Sequence, residues 1–403
     1  MEFFLTRTID LLGVAIVVAI LARRLRLPYT VGLVLTGLAL ALLRLDVGVA
    51  LTHDVIFDVI LPPLLFEAAL NLHWSELRRD LAPVLTLATL GVGLCALVVA
   101  AGLTSGLGWP LVPALAFGAL IAATDPIAVI ALLRETDVKG RLRLLIESES
   151  LLNDGVAALL FSLVVATMAD AAAPTPWGVA SQLLFVGGGG IAVGLLGGAA
   201  AIFVAGRTED HLIETALTAV AAYGSFLFAD HLGASGVLAT VSAGLMMGNL
   251  GVLAEDAEPF ALTSQGRGFV VAFWEFAAFL ANSFVFLMIG LELANVRVRS
   301  FAELAIVIAL ALLGRAAAVY PICLVFSGSR WKIALVKQHF LWWAGLRGAL
   351  ALALALALPP AMPYREEILV AAFGVVAFSV LVQGLTAGLW LKALGLEPSN
   401  ADR

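Results

Sequence analysis

The chain has 403 residues, of which 62% are hydrophobic and only 13% charged, about half the roughly 25% charged share of a soluble globular protein. A water-soluble fold of this size is excluded. The net charge is −6 and the basic residues are scattered singly between apolar runs, which excludes an electrostatic footprint for nucleic acid. Both cysteines, Cys95 and Cys323, lie inside apolar runs, so neither a disulfide framework nor a CxxC-type metal centre is expected and both read as packing residues.

A bilayer crossing takes about 20 mainly apolar residues. Thirteen such runs are predicted, near 5–22, 29–43, 53–72, 81–104, 111–133, 144–168, 179–204, 211–230, 234–250, 268–294, 302–327, 338–358 and 366–391. The second is short, yet removing it would scramble the alternation of charge between loops. Short cytoplasmic loops retain Lys and Arg. With the N-terminus outside, sixteen basic residues fall on the cytoplasmic side, from Arg23, Arg24 and Arg26 through Lys139 to Lys392 and Arg403. Only Arg7, Arg44, Arg297, Arg299 and Arg365 fall outside. The C-terminus is therefore expected in the cytoplasm. The first run lacks a basic leader region and a small-residue cleavage site, so no cleavable signal is expected. No stretch reads as a soluble domain, and residues 1–403 are expected to form one all-α transmembrane domain.

An ionisable side chain at mid-membrane costs roughly 2.5–3.5 kcal/mol on insertion scales and usually faces a cavity or a partner. The third run carries Glu67 after Pro62 and Pro63, a carboxylate behind a helix-disturbing pair. The fifth contains Thr124-Asp125-Pro126 near its midpoint, where the proline disfavours helical backbone at the residue before it. A broken helix at this depth exposes carbonyls and helix termini suited to an ion. Asp125 is then either a helix cap or a direct cation contact.

The sixth run brings Glu147, Ser148, Glu149, Ser150, Asn153 and Asp154 into the membrane. At about 100° per residue, Glu147, Ser150 and Asp154 share one face, and Glu149 and Asn153 share another. Asp154 with Ser150 one turn before it suits a cation site, whereas Glu149 suits a fixed salt bridge. Arg347 in Gly345-Leu346-Arg347-Gly348-Ala349, mid-way along the twelfth run, is its expected partner, and Arg315 in the eleventh run is expected to pair with an acid such as Asp230 or Glu292. The five histidines stand at run ends, too dispersed to bind a metal.

Together, Thr124-Asp125-Pro126, Glu149 to Asp154 and Gly345 to Ala349 resemble the monovalent cation/proton antiporters of the NhaP-type sodium/proton exchanger branch. Leu61 to Ala68, Ser235 to Ala239 followed by Gly248-Asn249, and Asn282-Ser283 with Phe286 to Leu293 extend the resemblance over residues 8–392. The resemblance implies thirteen helices in two six-helix inverted repeats, about 5–168 and 211–391, joined by a linker helix at about 179–204. A short cytoplasmic end, 392–403, would follow. Crossed, interrupted helices would come from the fifth and twelfth runs, and the assembly would be a homodimer in a bacterial cell membrane. The implied cation ligands are Asp154, Ser150, the Thr124 main chain and Glu67. The implied structural pair is Glu149 with Arg347, with Asn153 hydrogen-bonded beside it.

Asn153, standing where electrogenic relatives carry a second Asp, implies electroneutral exchange, and the resemblance as a whole implies Na+, or Li+, as the cation exchanged for H+ and a part in pH homeostasis. No cofactor is expected. Asp154 would hold a proton or a cation but not both, and an empty carboxylate would not cross the membrane barrier. The alternatives are a K+/H+ antiporter of the same fold, a cation channel, and a non-transporting membrane receptor.

Overall fold

The computed structural model describes residues 2–25, 27–44, 51–138, 140–167, 176–254 and 262–396. Arg26, Lys139, Arg403 and most of the expected C-terminal end, residues 397–403, lie outside the described residues. All regular structure among the described residues is helical.

Helices α1 (Glu2–Leu25), α2 (Tyr29–Leu42) and α3 (Leu61–Leu70) open the chain. The third apolar run departs from regular α-helix where the proline pair is expected to disturb it: a π-helical segment, Val55–Ile60, leads without a break into α3, and Pro62 and Pro63 follow directly after it. Next come α4 (Leu81–Leu107), α5 (Leu111–Ala122), α6 (Ile127–Glu135) and α7 (Arg141–Ala166). Gly108, at φ 69°, closes α4 in the left-handed region that favours glycine, and Pro110 starts α5.

The chain continues through α8 (Ser181–Ala205), α9 (His211–His231), α10 (Gly236–Val252), α11 (Ser264–Leu293) and α12 (Phe301–Val325). Side-chain caps start three of these. Asp210 accepts from Leu212 N at 2.8 Å, Ser235 from Leu238 N at 3.2 Å and Ser300 from Glu303 N at 3.2 Å. The last helices are α13 (Leu335–Trp343), α14 (Ala349–Leu356) and α15 (Arg365–Ala393). Counting α5 with α6 as one run, eight helices among the described residues are long and apolar enough to cross a membrane; Leu12–Ala22, Tyr29–Leu42 and Gly236–Val252 are shorter apolar helices.

Two compact units emerge. The first comprises residues 1–56, 82–153 and 282–403, the second residues 57–81 and 154–281. Within the first, small residues admit close helix crossings, the packing that drives association where lipid is as apolar as the side chains. A Cβ on Gly37 of α2 would strike the Leu287 carbonyl of α11, and one on Gly290 would strike the Val34 carbonyl in return. Within the second, Phe66, Ala222, Ala243, Met247, Val270 and Trp274 form a buried core. The rings of Phe66 and Trp274 stand 4.6 Å apart, and the Trp274 indole donates to Thr218 Oγ1 at 2.8 Å.

Candidate functional site

Both breaks expected at mid-membrane are present in the first unit. Ala123 leaves helical backbone at φ −56°, ψ 140°, and α6 restarts after Pro126. The twelfth run ends as helix at Trp343 and restarts at Ala349, with Gly348 at φ −146°, ψ −144°. The two irregular segments are joined by a main-chain hydrogen bond, Asp125 N to the Leu346 carbonyl at 2.8 Å. A Cβ on Gly348 would overlap the Asp125 carboxylate and one on Gly345 would press on the Arg315 guanidinium. These two glycines are therefore required by close approach.

Breaking two helices creates four buried ends, positive where N–H groups are unpaired and negative where carbonyls are. Each end has a partner. Asp125 accepts from Ile127 N at 3.0 Å and from the Ala349 main-chain N–H, so one carboxylate caps both α6 and α14. Arg347 Nη1 donates to the carbonyls of Ala122 and Ala123 at 2.7 and 2.8 Å, closing the end of α5. Arg315 Nη2 donates to the Leu341 carbonyl at 3.2 Å in the last turn of α13. Of the two roles open to Asp125, the geometry supplies the cap.

The fixed salt bridge differs from expectation. Arg315, not Arg347, grips Glu149: Nη1 to Oε1 is 2.7 Å and Nη2 to Oε2 is 2.8 Å, with Glu149 2% and Arg315 6% exposed. This two-pronged geometry is the strong form of an arginine–carboxylate bond. Arg347, 3% exposed, directs its Nη1 to main-chain carbonyls and holds Nη2 at 3.8 Å from Cys95 Sγ. Neither acid expected to pair with Arg315 holds it, since its ion-pair partner among the described residues is Glu149. Asp230 belongs to the second unit, and Glu292 accepts from Asn295 at 3.4 Å.

Helix α7 also holds the first break in place. Ser150 Oγ donates to the Thr124 carbonyl in a short hydrogen bond. The Asn153 amide donates to Thr124 Oγ1 at 2.7 Å and to Glu149 Oε1 at 2.9 Å, while Thr124 N donates to Asn153 Oδ1 at 3.3 Å. The side chains of Asn153 and Glu149 thus meet as neighbours four residues apart on one helix face. The first unit brings together Thr124, Asp125, Glu149, Ser150, Asn153 and Arg347. Asp154 follows Ser150 by about one turn of α7 and belongs to the second unit, as does Glu67, whose Oε1 accepts from Asn71 Nδ2 at 3.0 Å. Arg315 as the ion-pair partner and Gln383, whose amide donates to the Trp343 carbonyl at 3.0 Å, were not assigned from the sequence. A Gln in a long apolar run was the one available signal.

Comparison with known proteins places this arrangement in context. Residues 12–393 match the family described as sodium/hydrogen exchanger, transmembrane. The Na(+)/H(+) antiporter ApNhaP of Aphanothece halophytica is 39% identical over 410 residues, covering 100% of this chain and 76% of that protein. The low-affinity Na(+)/H(+) antiporter NhaS1 of Synechocystis is 35% identical, covering 100% of this chain and 77% of that protein. The solved structure of the sodium proton antiporter MjNhaP1 from Methanocaldococcus jannaschii at pH 8 superposes with a TM-score of 0.76 at 23% identity, over 98% of this chain and 100% of that one.

Proposed function

The chain belongs to the sodium/hydrogen exchanger family, and from that premise we propose that it exchanges Na+, or Li+, for H+ across a cell membrane without net movement of charge. The observation that carries this reading is the pair of helices broken at residues 123–126 and 344–348 and tied by the Asp125–Leu346 main-chain bond, in a chain that matches the family over residues 12–393. The broken backbone is tolerated because every helix end is met by protein groups, as it must be where no water reaches.

Asp154 is the proposed carrier of both cargoes, assisted by Ser150, the Thr124 main chain and Glu67, with the cation as cargo rather than resident metal. A proton and a cation exclude one another at one carboxylate, and either leaves the site with the same net charge. The empty carboxylate would face the full cost of a charge at mid-membrane, so exchange proceeds and uniport does not. Asn153 supports one-for-one stoichiometry, because its amide already bridges Glu149 and Thr124 and adds no titrating group to α7.

Thirteen crossings with the N-terminus outside and the C-terminus in the cytoplasm, two six-helix repeats, and a homodimer complete the proposal. It is supported by the inside-positive charge pattern and the family membership. The test is Asp154→Asn in reconstituted protein. The expected result is loss of cation-driven proton flux with a melting transition unchanged from the wild type; flux that persists in this variant refutes competition at Asp154. Parallel addition of Na+, Li+ and K+ to the wild type identifies the cation, and a response to K+ alone replaces the sodium reading with the potassium one.

A further inference from the structure

The broken end of α13 leaves carbonyls without intrahelical donors. The Phe340 carbonyl takes the Ala344 N–H at 2.8 Å and the Leu341 carbonyl takes Arg315 Nη2 at 3.2 Å. The Trp343 carbonyl, last before the irregular segment, takes Gln383 Nε2 at 3.0 Å. Gln383 is 2% exposed and ends a π-helical turn, Ser379–Gln383, inside α15. Such turns insert into otherwise regular helices and recur at functional positions. The Gln383 amide is itself oriented, because Ser379 Oγ donates to its Oε1 at 2.7 Å and leaves Nε2 to the carbonyl. Trp343 is held to the same helix a second time, by its indole N–H to Thr386 Oγ1 at 3.1 Å.

These contacts border the centre of the site. A cavity of about 10 Å³ is bounded by Arg315, Gly345, Arg347, Ser379 and Gln383 among others, room for about one solvent molecule. Arg315, one of the lining residues, has its Nε without a protein acceptor among the described residues. Three residues after Trp343, the Leu346 carbonyl accepts from Asp125 N, and Asp125 follows Thr124. A shift of the α13 end therefore passes along the main chain to the carbonyl proposed to hold the cation.

We propose that Gln383 is a positioning residue for transport: with Ser379 it anchors the broken end of α13, and through the Leu346–Asp125 bond it fixes the Thr124 main chain at cation-binding geometry. This rests on the antiport reading above. It assigns to α15 a part in cation affinity, although the helix supplies no ligand.

The test is the cation dependence of proton flux in proteoliposomes of the full chain carrying Gln383→Met, which keeps the side-chain volume and removes the donor. Loss of a buried donor predicts an apparent KM raised about tenfold with Vmax within about twofold of the wild type. Ser379→Ala, which frees the amide to rotate, raises KM about threefold on the same basis. The double variant matches Gln383→Met alone, because Ser379 acts only through Gln383. An unchanged KM in Gln383→Met overturns the inference, as does an additive double variant, or a KM, Vmax and melting temperature that worsen together. If Gln383→Met fails to fold, Ser379→Ala decides by the same KM criterion. Absence of cation-driven flux in the wild type overturns the antiport reading and this inference with it, whereas wild-type exchange beside an unchanged KM in the variants overturns this inference alone.

Discussion

Removing one member of the buried pair Glu149–Arg315 gives the sharpest energetic test, because the structure assigns the bond to one of two mid-membrane arginines. In Arg315→Met, Glu149 would remain buried at 2% exposure with the Asn153 amide as its remaining donor among the described residues. Stranding a buried carboxylate in this way costs about 3–5 kcal/mol, whereas replacing both members by uncharged side chains of similar volume is often close to neutral. A cycle of Glu149→Gln, Arg315→Met and the double variant therefore predicts a coupling energy of about 3 kcal/mol or more. The equivalent cycle with Arg347→Met predicts below about 1 kcal/mol, since Arg347 Nη1 goes to the Ala122 and Ala123 carbonyls. Arg347→Met still destabilises by itself, because each charge-assisted bond lost is worth about 1.5–3 kcal/mol, but Glu149→Gln does not relieve it. The assay is reversible unfolding in mixed detergent micelles, with all variants at one protein concentration. Coupling between Glu149 and Arg347 equal to or larger than that between Glu149 and Arg315 would refute the assignment.

Three further outcomes follow from the same geometry. Asp125→Ala uncaps α6 and α14 together and is expected to cost about 2 kcal/mol in the same unfolding assay, near 1 kcal/mol per cap, while Asp125→Asn keeps an acceptor and loses less; equal losses would show that capping is not what Asp125 supplies. Gly348→Ala, whose new methyl would overlap the Asp125 carboxylate, is expected to abolish flux or folding, whereas alanine at Gly93, which meets nothing within 4 Å, is expected to leave both intact. The apparent KM for the cation rises as pH falls, because protons occupy Asp154 in its place; a KM flat from pH 6 to pH 9, measured with an internal pH dye, would contradict competition at one group.

Much of this arrangement follows from local chemistry. Pro126 disfavours helix at the residue before it, and together with the polar Thr124 and Asp125 it makes the break in the fifth run readable, whereas Pro321 alone in an apolar run is carried inside α12. The period of 3.6 residues put Glu149 beside Asn153, and the bond of 2.9 Å between them is a property of one helix. The second run, kept on the charge pattern despite its length, forms a helix over Tyr29–Leu42. The pairing of Arg315 could not be read in the same way. Two arginines stand alone in two apolar runs, and which of them reaches Glu149 depends on how α12 and the broken twelfth run pack against α7, contacts separated by 166 residues or more in the chain. The proline pair before Glu67 points to an irregular helix but not to its form: the π-helical segment Val55–Ile60 precedes Pro62 and Pro63, and apolar letters do not distinguish such a segment from a regular helix. Gln383 stands out as a polar residue in a long apolar run, but nothing in Ser379–Gln383 marks a π-helical turn rather than regular helix.

The most direct measurement is proton flux in proteoliposomes driven by a Na+ gradient, recorded with and without a clamp on the membrane potential. Electroneutral antiport predicts that Na+ changes the internal pH at the same rate in both conditions and that Asp154→Asn silences the response. Flux whose rate and direction follow the imposed voltage, or that needs no Na+ gradient, would contradict one-for-one exchange.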